Sequence, residues 1–184
     1  LNRDFLIHGK KKFKSRKLLS YISQINRFLK KKGLENKIII IQIENRLHTL
    51  IFCLAAIFSN TTICPLDPKL PTSRVNKIKK SINATKVIKR IDLIENSLIN
   101  YDLFNLNNHN FLISFSSGTS GSPKGVMHDS NNVLGISFSY SRLVNFNKQT
   151  RILHCLPVYF AAGIINTFFS SLCGSSTIII ANSF

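Results

Sequence analysis

Negative charge is scarce in this chain. It has 8 acidic residues against 25 basic ones, which gives a formal net charge of +17 over 184 residues. Dense basic runs at residues 10–17 and 30–32 are typical of contact with nucleic acid, anionic membranes or other anions. The basic residues do not alternate with aromatic ones as they do in single-strand grooves, so nucleic-acid binding is the weaker interpretation. A non-catalytic basic module that binds anions stays open as an alternative.

Cysteine is also sparse, and its four positions are isolated from one another: Cys53, Cys64, Cys155 and Cys173. No C-x-x-C pair and no cluster of histidines is present, which argues against a metal site and against a disulfide framework. Each cysteine has apolar sequence neighbours, so we expect small buried hydrophobic side chains in a reducing compartment. A cytoplasmic location follows as the expectation, and no signal peptide leads the chain.

Charge of either sign is missing from residues 156–184. That length could span a bilayer. Proline, glycine, asparagine and serine interrupt the stretch, at Pro157, Gly163, Asn166 and Gly174 among others. We therefore predict a buried helix over 164–173 followed by a buried strand over 177–181, and no membrane span.

Earlier in the chain, apolar runs alternate with helical periodicity. Residues 1–17 are basic and weakly patterned and are taken as an entry segment, followed by an amphipathic helix that Ser20 caps and Gly33 ends. The elements predicted next are a strand over 37–43, a helix over 45–59, a strand over 62–66, a helix over 72–81 and a strand over 86–91. This rhythm predicts an α/β fold with a mostly parallel sheet flanked by helices. The Asn-rich residues 92–110 are expected to be a linker.

The most informative stretch is Phe115–Gly125, with the sequence Phe-Ser-Ser-Gly-Thr-Ser-Gly-Ser-Pro-Lys-Gly. It follows an apolar run, Phe111–Ile113, that is typical of a buried strand. Glycines allow close approach of backbone N–H groups to an anion, hydroxyls donate to phosphate oxygens, and Lys124 adds a point charge. The stretch therefore predicts a loop that grips a polyphosphate.

Two common phosphate-binding loops do not fit this spacing. A Walker A loop has four residues between its first glycine and a Gly-Lys pair, whereas Lys124 here follows Pro123. The dinucleotide fingerprint G-x-G-x-x-G is absent as well. Downstream, we expect Ser130 to cap a helix through about Ser141 whose first turn faces the loop and adds its positive dipole there.

The order of residues in Phe115–Gly125 resembles the phosphate-loop signature of the AMP-forming adenylate synthetases, Tyr-Thr-Ser-Gly-Thr-Thr-Gly-x-Pro-Lys-Gly. This superfamily includes acyl-CoA synthetases, peptide-synthetase adenylation domains and firefly luciferase. The replacements at Phe115, Ser116 and Ser120 keep an aromatic ring or a hydroxyl. A second match is Pro65–Pro68, which resembles the superfamily's Pro-Leu-Asp-Pro turn.

A third match begins at Leu156-Pro157, where the chain resembles the superfamily segment Leu-Pro-x-Phe-His-x-x-Gly. The superfamily's histidine position carries Phe160, whose ring has no hydrogen-bonding nitrogen. The resemblance implies that this segment lines the substrate pocket, with the candidate residues Tyr159, Phe160, Ala161 and Gly163. Other polar residues are expected to have structural roles. His128 is expected to have a rim or structural role, Asp129 is expected to cap a helix, and Asp67 is expected to form a turn. No cluster of functional residues is predicted around His154.

The resemblance implies an ATP-dependent ligase that converts a carboxylic acid to an acyl-adenylate and transfers the acyl group to a thiol. ATP, Mg²⁺ and coenzyme A are the implied cofactors, and an acyl-CoA ligase is favoured over an adenylation domain that loads a carrier-protein pantetheine. The implied nucleotide-binding residues are Ser116, Ser117, Gly118, Thr119, Ser120, Gly121, Ser122, Pro123, Lys124 and Gly125.

The domain organisation implied by the resemblance is that residues 1–184 form the N-terminal portion of an AMP-binding domain, with 115–125 as its phosphate-binding loop. The small C-terminal domain, which carries the superfamily's catalytic lysine, is expected to lie outside this sequence. No catalytic residue and no metal ligand is therefore assigned within the chain, and residues 1–184 alone are expected to be inactive.

Overall fold

A computed structural model describes residues 4–94, 97–100, 106–116 and 124–181 of the chain. The strands, in chain order, are β1 (Asp4–His8), β2 (Lys11–Lys14), β3 (Ile38–Ile41), β4 (Thr62–Pro65), β5 (Lys86–Ile88), β6 (Asn110–Ser116), β7 (Lys124–Asp129), β8 (Arg151–His154) and β9 (Thr177–Ile180). The helices are α1 (Ser15–Lys31), α2 (Arg46–Ala56), α3 (Thr72–Ser81), α4 (Ser130–Leu143), a π-helix (Ala162–Phe169) and α5 (Ser170–Cys173).

These strands form two sheets. The larger sheet has the order β5-β3-β4-β6-β7, in which the first four strands are parallel and β7 runs antiparallel to β6. The smaller sheet has the order β2-β1-β9-β8, with an antiparallel β1/β2 hairpin and two parallel pairs. The predicted α/β class with mostly parallel strands is confirmed, and its division into two sheets is a new finding.

The isoleucine run of β3 shows why its sequence is apolar at successive positions. Ile39 and Ile41 face the main core, whereas Ile40 packs into a second cluster with Val75 and Ile78 of α3. Because side chains alternate between the two faces of a strand, a strand covered on both faces needs apolar residues throughout. The larger sheet therefore has helices packed on both faces.

The main core joins the two sheets. It contains Leu6 and Ile178 from the smaller sheet, Ile63 from the larger sheet, and Phe52 from α2. Helix α2 is apolar nearly all round, which is typical of a helix buried between layers. The carboxyl ends of strands from both sheets are thereby held near one another.

At the N-terminus, the structure contains a hairpin that was not predicted, and the predicted Ser20 cap was wrong. Residues 4–14 form the hairpin β1/β2, and β1 extends the smaller sheet by pairing with β9. Helix α1 begins at Ser15, so Ser20 lies inside the helix, where its hydroxyl donates to the carbonyl of Ser97. The charged residues of this segment concealed its pattern, because a short, mostly exposed strand needs few apolar residues.

The charge-free stretch forms the π-helix, α5 and β9. The prediction of a helix followed by a strand is therefore confirmed. Among the described residues, no helix has the length and apolar character needed to cross a membrane.

Cys53 and Cys64 are buried, as predicted, whereas Cys155 and Cys173 are half-buried. Burial raises the pKa of the Cys64 thiol to about 12.

Candidate functional site

The predicted phosphate loop joins two hydrogen-bonded strands. β6 ends at Ser116 and β7 begins at Lys124, and these two residues are directly paired across the hairpin. The two ends of the loop are therefore fixed side by side, with the Lys124 side chain exposed to solvent. The candidate residues between them lie outside the described residues: Ser117, Gly118, Thr119, Ser120, Gly121, Ser122 and Pro123.

Gly125 is the next residue of β7 and pairs with Phe115. A Cβ atom at this position would lie 3.3 Å from Cγ2 of Ile113 and 3.3 Å from the ring of Phe115, so the glycine leaves little spare space over β6.

Further along the hairpin, Oγ of Ser114 lies 2.8 Å from Nε2 of His128. Burial lowers the pKa of His128, while the nearby Asp129 acts in the opposite direction. His128 therefore contacts its own hairpin, in keeping with the predicted rim or structural role.

The expected contribution of the following helix to the loop was wrong. α4 begins at Ser130, at the opposite end of β7 from the loop, and Asp129 pairs with Asn110 there. Five residue steps along a strand separate the two ends of β7 by about 17 Å. Asp129, not Ser130, caps α4 by accepting from the backbone N–H of Asn132. The dipole of α4 therefore does not act at the loop.

The predicted pocket segment starts where β8 ends. Tyr159 donates its hydroxyl to Oδ2 of Asp67 at 3.2 Å, which joins this segment to the turn after β4. Oδ1 of the same carboxylate accepts from the backbone N–H of Lys69, so the predicted turn-forming role of Asp67 is confirmed. Burial, followed by the nearby Asp67 carboxylate, raises the pKa of Tyr159.

The remaining pocket candidates follow Tyr159 directly. Phe160 stacks edge-on against Tyr159 with ring centroids 4.9 Å apart, and 51% of its surface stays exposed. Ala161 immediately precedes the π-helix, and Gly163 lies in its first turn. A Cβ atom on Gly163 would lie 2.5 Å from the carbonyl oxygen of Pro157, so a side chain cannot enter without moving the backbone. The four candidates thus lie within five consecutive residues after β8, with Phe160 exposed, Tyr159 and Ala161 half-buried and Gly163 buried.

Sequence reasoning missed two residues behind this segment, Arg46 and His154. His154 is fully buried, and its Nε2 lies 2.8 Å from the carbonyl oxygen of Gly163. Nη2 of Arg46 donates to the carbonyl oxygens of His154 at 3.2 Å and Leu156 at 2.7 Å, and lies 3.4 Å from Nδ1 of His154. Burial is the main cause that lowers the pKa of His154; the hydrogen bond with Gly163 opposes this lowering, and the charge of Arg46 adds to it.

One sequence signal could have drawn attention to Arg46. It occupies the first position of the apolar helix α2, directly after the Asn45 cap. Cations are unfavourable at helix N-termini, where the macrodipole is positive. An arginine there therefore points to a tertiary partner. His154 gave no comparable signal, because its partners are backbone atoms and a residue 108 positions away.

A separate crevice lies at the carboxyl ends of the parallel strands β3 and β5. It has a volume of about 480 Å³ and its lining comprises Gln42, Ile43, Glu44, Asn45, His48, Pro68, Lys89, Arg90, Ile91 and Asp92. Ligands of open α/β sheets commonly bind beyond the carboxyl ends of the strands. The crevice is therefore a candidate for contact with part of a substrate.

The described residues supply no ready-made metal cage. Within residues 4–94, 97–100, 106–116 and 124–181, no group of three His, Cys, Asp or Glu side chains could hold a metal ion. Mg²⁺ usually retains several waters and is held through substrate phosphates with one or two carboxylates. The donor set here therefore fits Mg²⁺ only as an ion that arrives on a polyphosphate.

Known proteins resemble this chain in sequence. A family model described as AMP-binding enzyme matches residues 104–184. Gramicidin S synthase 2 of Brevibacillus brevis is 24% identical over 182 residues, which is 90% of this chain and 4% of that protein. A probable CoA ligase of Humulus lupulus is 33% identical over 67 residues, 36% of this chain and 11% of that protein. A D-alanine–D-alanyl carrier protein ligase of Listeria welshimeri is 28% identical over 154 residues, 70% of this chain and 30% of that protein.

Solved structures show the same fold. The N-terminal subdomain of NpsA from Klebsiella oxytoca, in complex with 3-hydroxybenzoyl-AMSN, superposes with a TM-score of 0.80 at 19% identity, over 98% of this chain and 50% of that one. ATP-bound MatB from Rhodopseudomonas palustris gives a TM-score of 0.79 at 18% identity, over 100% of this chain and 44% of that one. The chain therefore spans about half of these solved chains and a smaller share of its curated relatives.

Proposed function

This chain belongs to the family of AMP-binding enzymes, which form adenylates, and from that premise we propose that it serves an ATP-dependent acid–thiol ligase. In the first step, a carboxylate oxygen attacks the α-phosphate of ATP and pyrophosphate leaves, which yields an acyl-adenylate. In the second step, a thiol sulfur attacks the acyl carbonyl and AMP leaves, which yields a thioester. Residues 1–184 are proposed to form the N-terminal portion of the adenylate-forming domain.

The observation that carries this proposal is the motif Phe115–Gly125 and its anchoring. Ser116 and Lys124 are paired at the end of β6/β7, so the connecting Ser/Gly-rich residues start and end at one point of the sheet. In a turn of this composition, successive backbone N–H groups can surround an anion. We assign the β- and γ-phosphates of ATP to these N–H groups and to Lys124, with hydroxyl contacts from Thr119 and Ser120.

Electrostatic stabilisation is the main task of such a loop. The attacking carboxylate and the triphosphate are both negative, so positive groups must offset their repulsion as the transition state forms. Mg²⁺ carried by the nucleotide would supply part of this charge when bound. Lys124 supplies a further positive charge, and its exposed position at the start of β7 leaves it accessible to a ligand.

The carboxylic acid is assigned to the segment that carries Tyr159, Phe160, Ala161 and Gly163. The half-exposed ring of Phe160 offers an apolar contact surface but no proton. We infer an acid whose acyl part has an apolar surface, held by contact with this ring and with Tyr159.

Coenzyme A is the proposed thiol acceptor. The match to the CoA ligase of Humulus lupulus supports it, although that match covers 36% of the chain. The second candidate is a carrier-protein thiol, supported by the longer matches to gramicidin S synthase 2 and to the D-alanyl carrier protein ligase. Both candidates share the first step.

The test is carboxylate-dependent exchange of labelled pyrophosphate into ATP, measured on the full-length protein with a panel of aliphatic, aromatic and amino acids. We expect exchange with at least one acid and none without acid. If no acid supports exchange above the acid-free background, adenylation is contradicted. The acceptor is then identified with the active acid, because a CoA ligase releases a free acyl-CoA whereas a carrier-loading enzyme acylates only an added or attached carrier protein.

A further inference from the structure

Four polar side chains meet where the two sheets approach each other. Arg46 follows β3 and Asp67 follows β4 in the larger sheet, whereas His154 ends β8 and Tyr159 follows it in the smaller sheet. We call these four residues the polar junction. Its two connections are Arg46 with His154 and Asp67 with Tyr159. The junction therefore ties the start of the pocket segment to the larger sheet, on which the phosphate loop is also anchored.

Hydrogen bonding fixes the state of the imidazole in this junction. The carbonyl oxygen of Gly163 can only accept, so Nε2 of His154 must carry the proton and donate across 2.8 Å. Nδ1 is then the unprotonated nitrogen that faces Nη2 of Arg46. A second proton on Nδ1 would place two N–H donors against each other beside the guanidinium charge. The neutral Nε2–H tautomer is therefore the form that holds Gly163 and Arg46 together.

Two features of the Arg46 position are unfavourable for the fold. Arg46 places a positive charge at the N-terminus of α2, where the helix dipole disfavours a cation. In the part of the chain that the structure describes, its buried Nε has no hydrogen-bond partner, which is also unfavourable. The contacts of Nη2 with β8 and Leu156 are the gain that offsets these costs.

We propose that Arg46 is a positioning residue for the acyl pocket, which acts through His154 and Leu156 to set the course of residues 156–163. This inference rests on the proposed function for its effect on the reaction. Nη2 of Arg46 holds the carbonyl of Leu156, the residue before the Pro157 turn that leads to Tyr159 and Phe160. Without Arg46, the aromatic pair loses its fixed placement relative to the loop, while the loop itself keeps its own hairpin.

The kinetic test uses the full-length protein with Arg46→Met, Arg46→Lys and the control Arg74→Met. Arg74 is an exposed arginine on α3 and is the matched loss of one guanidinium. We expect Arg46→Met to raise the KM for the carboxylic acid at least tenfold and to leave the KM for ATP within twofold of wild type. Arg46→Lys keeps a cation with several donors on one nitrogen and should recover part of the loss. Equal changes in both KM values, or no change, would overturn the positioning role.

A second readout does not depend on activity. Histidines labelled with ¹³C at Cε1 are titrated by NMR in the full-length protein, and His154→Asn identifies the His154 signal. Because the charge of Arg46 lowers the pKa of His154, Arg46→Met should raise it, whereas Arg74→Met should not. An unchanged titration in Arg46→Met would overturn the junction. If wild type shows no exchange with any acid, the proposed function fails by itself, and this titration still decides the Arg46–His154 contact.

Discussion

The β6/β7 hairpin, which carries the predicted phosphate loop, and the polar junction are the two parts of the candidate site, and they are built in different ways. The hairpin is local, since Ser116 and Lys124 are paired neighbours on consecutive strands. The junction is non-local, since Arg46 and His154 are 108 residues apart and Asp67 and Tyr159 are 92 apart. A local site can be recognised from a run of residues, whereas a non-local one exists only once both sheets have formed.

This difference has a consequence for how each part responds to mutation. The side chain of Lys124 is exposed, so its loss should affect ligand binding and leave the fold intact. His154 is fully buried and bonded to backbone atoms, so changes at the junction should affect stability and substrate placement together. Variants in the two regions can therefore separate the two kinds of effect.

The largest effect on activity is expected from Lys124→Met. In the proposed function, Lys124 offsets the negative charge of the triphosphate, so its loss should lower transition-state stabilisation, and a roughly 100-fold fall in kcat/KM for ATP is expected. The unfolding midpoint should stay close to that of wild type, because the side chain is exposed. Pyrophosphate exchange and urea unfolding of the full-length protein measure the two quantities.

The matched control is Lys148→Met, which removes an exposed lysine from the loop between α4 and β8. It should leave exchange at the wild-type level. Wild-type kinetics in Lys124→Met would contradict the assignment of this lysine to the nucleotide site. A large loss of stability would show that the Lys124 side chain also contributes to the fold.

Gly163→Ala is the next test and acts on the junction side. Its new Cβ would lie 2.5 Å from the carbonyl oxygen of Pro157, so the backbone that accepts from His154 must shift. A loss of about 1–3 kcal/mol in the free energy of unfolding is expected from such overpacking. Urea unfolding checks the magnitude, and a weaker carboxylic-acid KM should accompany it.

Gly135→Ala provides the control of opposite sign. Gly135 lies exposed in α4, and a Cβ atom added there would meet no atom within 4 Å, so alanine should fit freely. Because alanine favours helix over glycine, a gain of about 0.5–1 kcal/mol is expected there. If Gly163→Ala also stabilises the chain, the close approach to Pro157 is contradicted.

Much of the fold was predictable because its elements are continuous and apolar. The run of isoleucines in β3 and the long apolar body of α2 gave the central layers within a few residues. The β1/β2 hairpin was missed because its partner, β9, lies more than 160 residues later and only that pairing makes it part of a sheet. The separation into two sheets was also beyond local pattern, since it depends on which strands pair.

The site shows the same limit. The motif at Phe115–Gly125 could be recognised because its chemistry is contiguous in the sequence. The span of α4 was predicted closely, but its placement beside the loop was wrong because β7 was not foreseen. The exposed residues of β7, such as Val126 and Met127, form an edge strand without a clear alternation. Arg46 and His154 were missed because their meaning depends on contacts across the two sheets.

The smallest expected effect, and the most direct comparison of the two regions, is the pH dependence of stability carried by one histidine in each. His128 in the hairpin and His154 in the junction both have a pKa below the ordinary value of 6.5, chiefly because burial disfavours the charged imidazole. As the pH falls below about 6.5, the unfolded chain binds protons that the folded chain does not, so the free energy of unfolding must decrease. The full contribution is present above that pH.

The surroundings of the two histidines act on the two pKa values in different ways. Asp129 opposes the lowering at His128, whereas at His154 the hydrogen bond with Gly163 opposes it and the charge of Arg46 adds to it. Urea unfolding of the full-length protein between pH 5 and 8 should therefore show a shallower pH dependence in both His128→Asn and His154→Asn, and Arg46→Met should weaken the dependence that His154 carries. An unchanged pH dependence in Arg46→Met would mean that Arg46 does not act on His154 in solution, and the junction would then be a packing contact without the electrostatic coupling on which its positioning role depends.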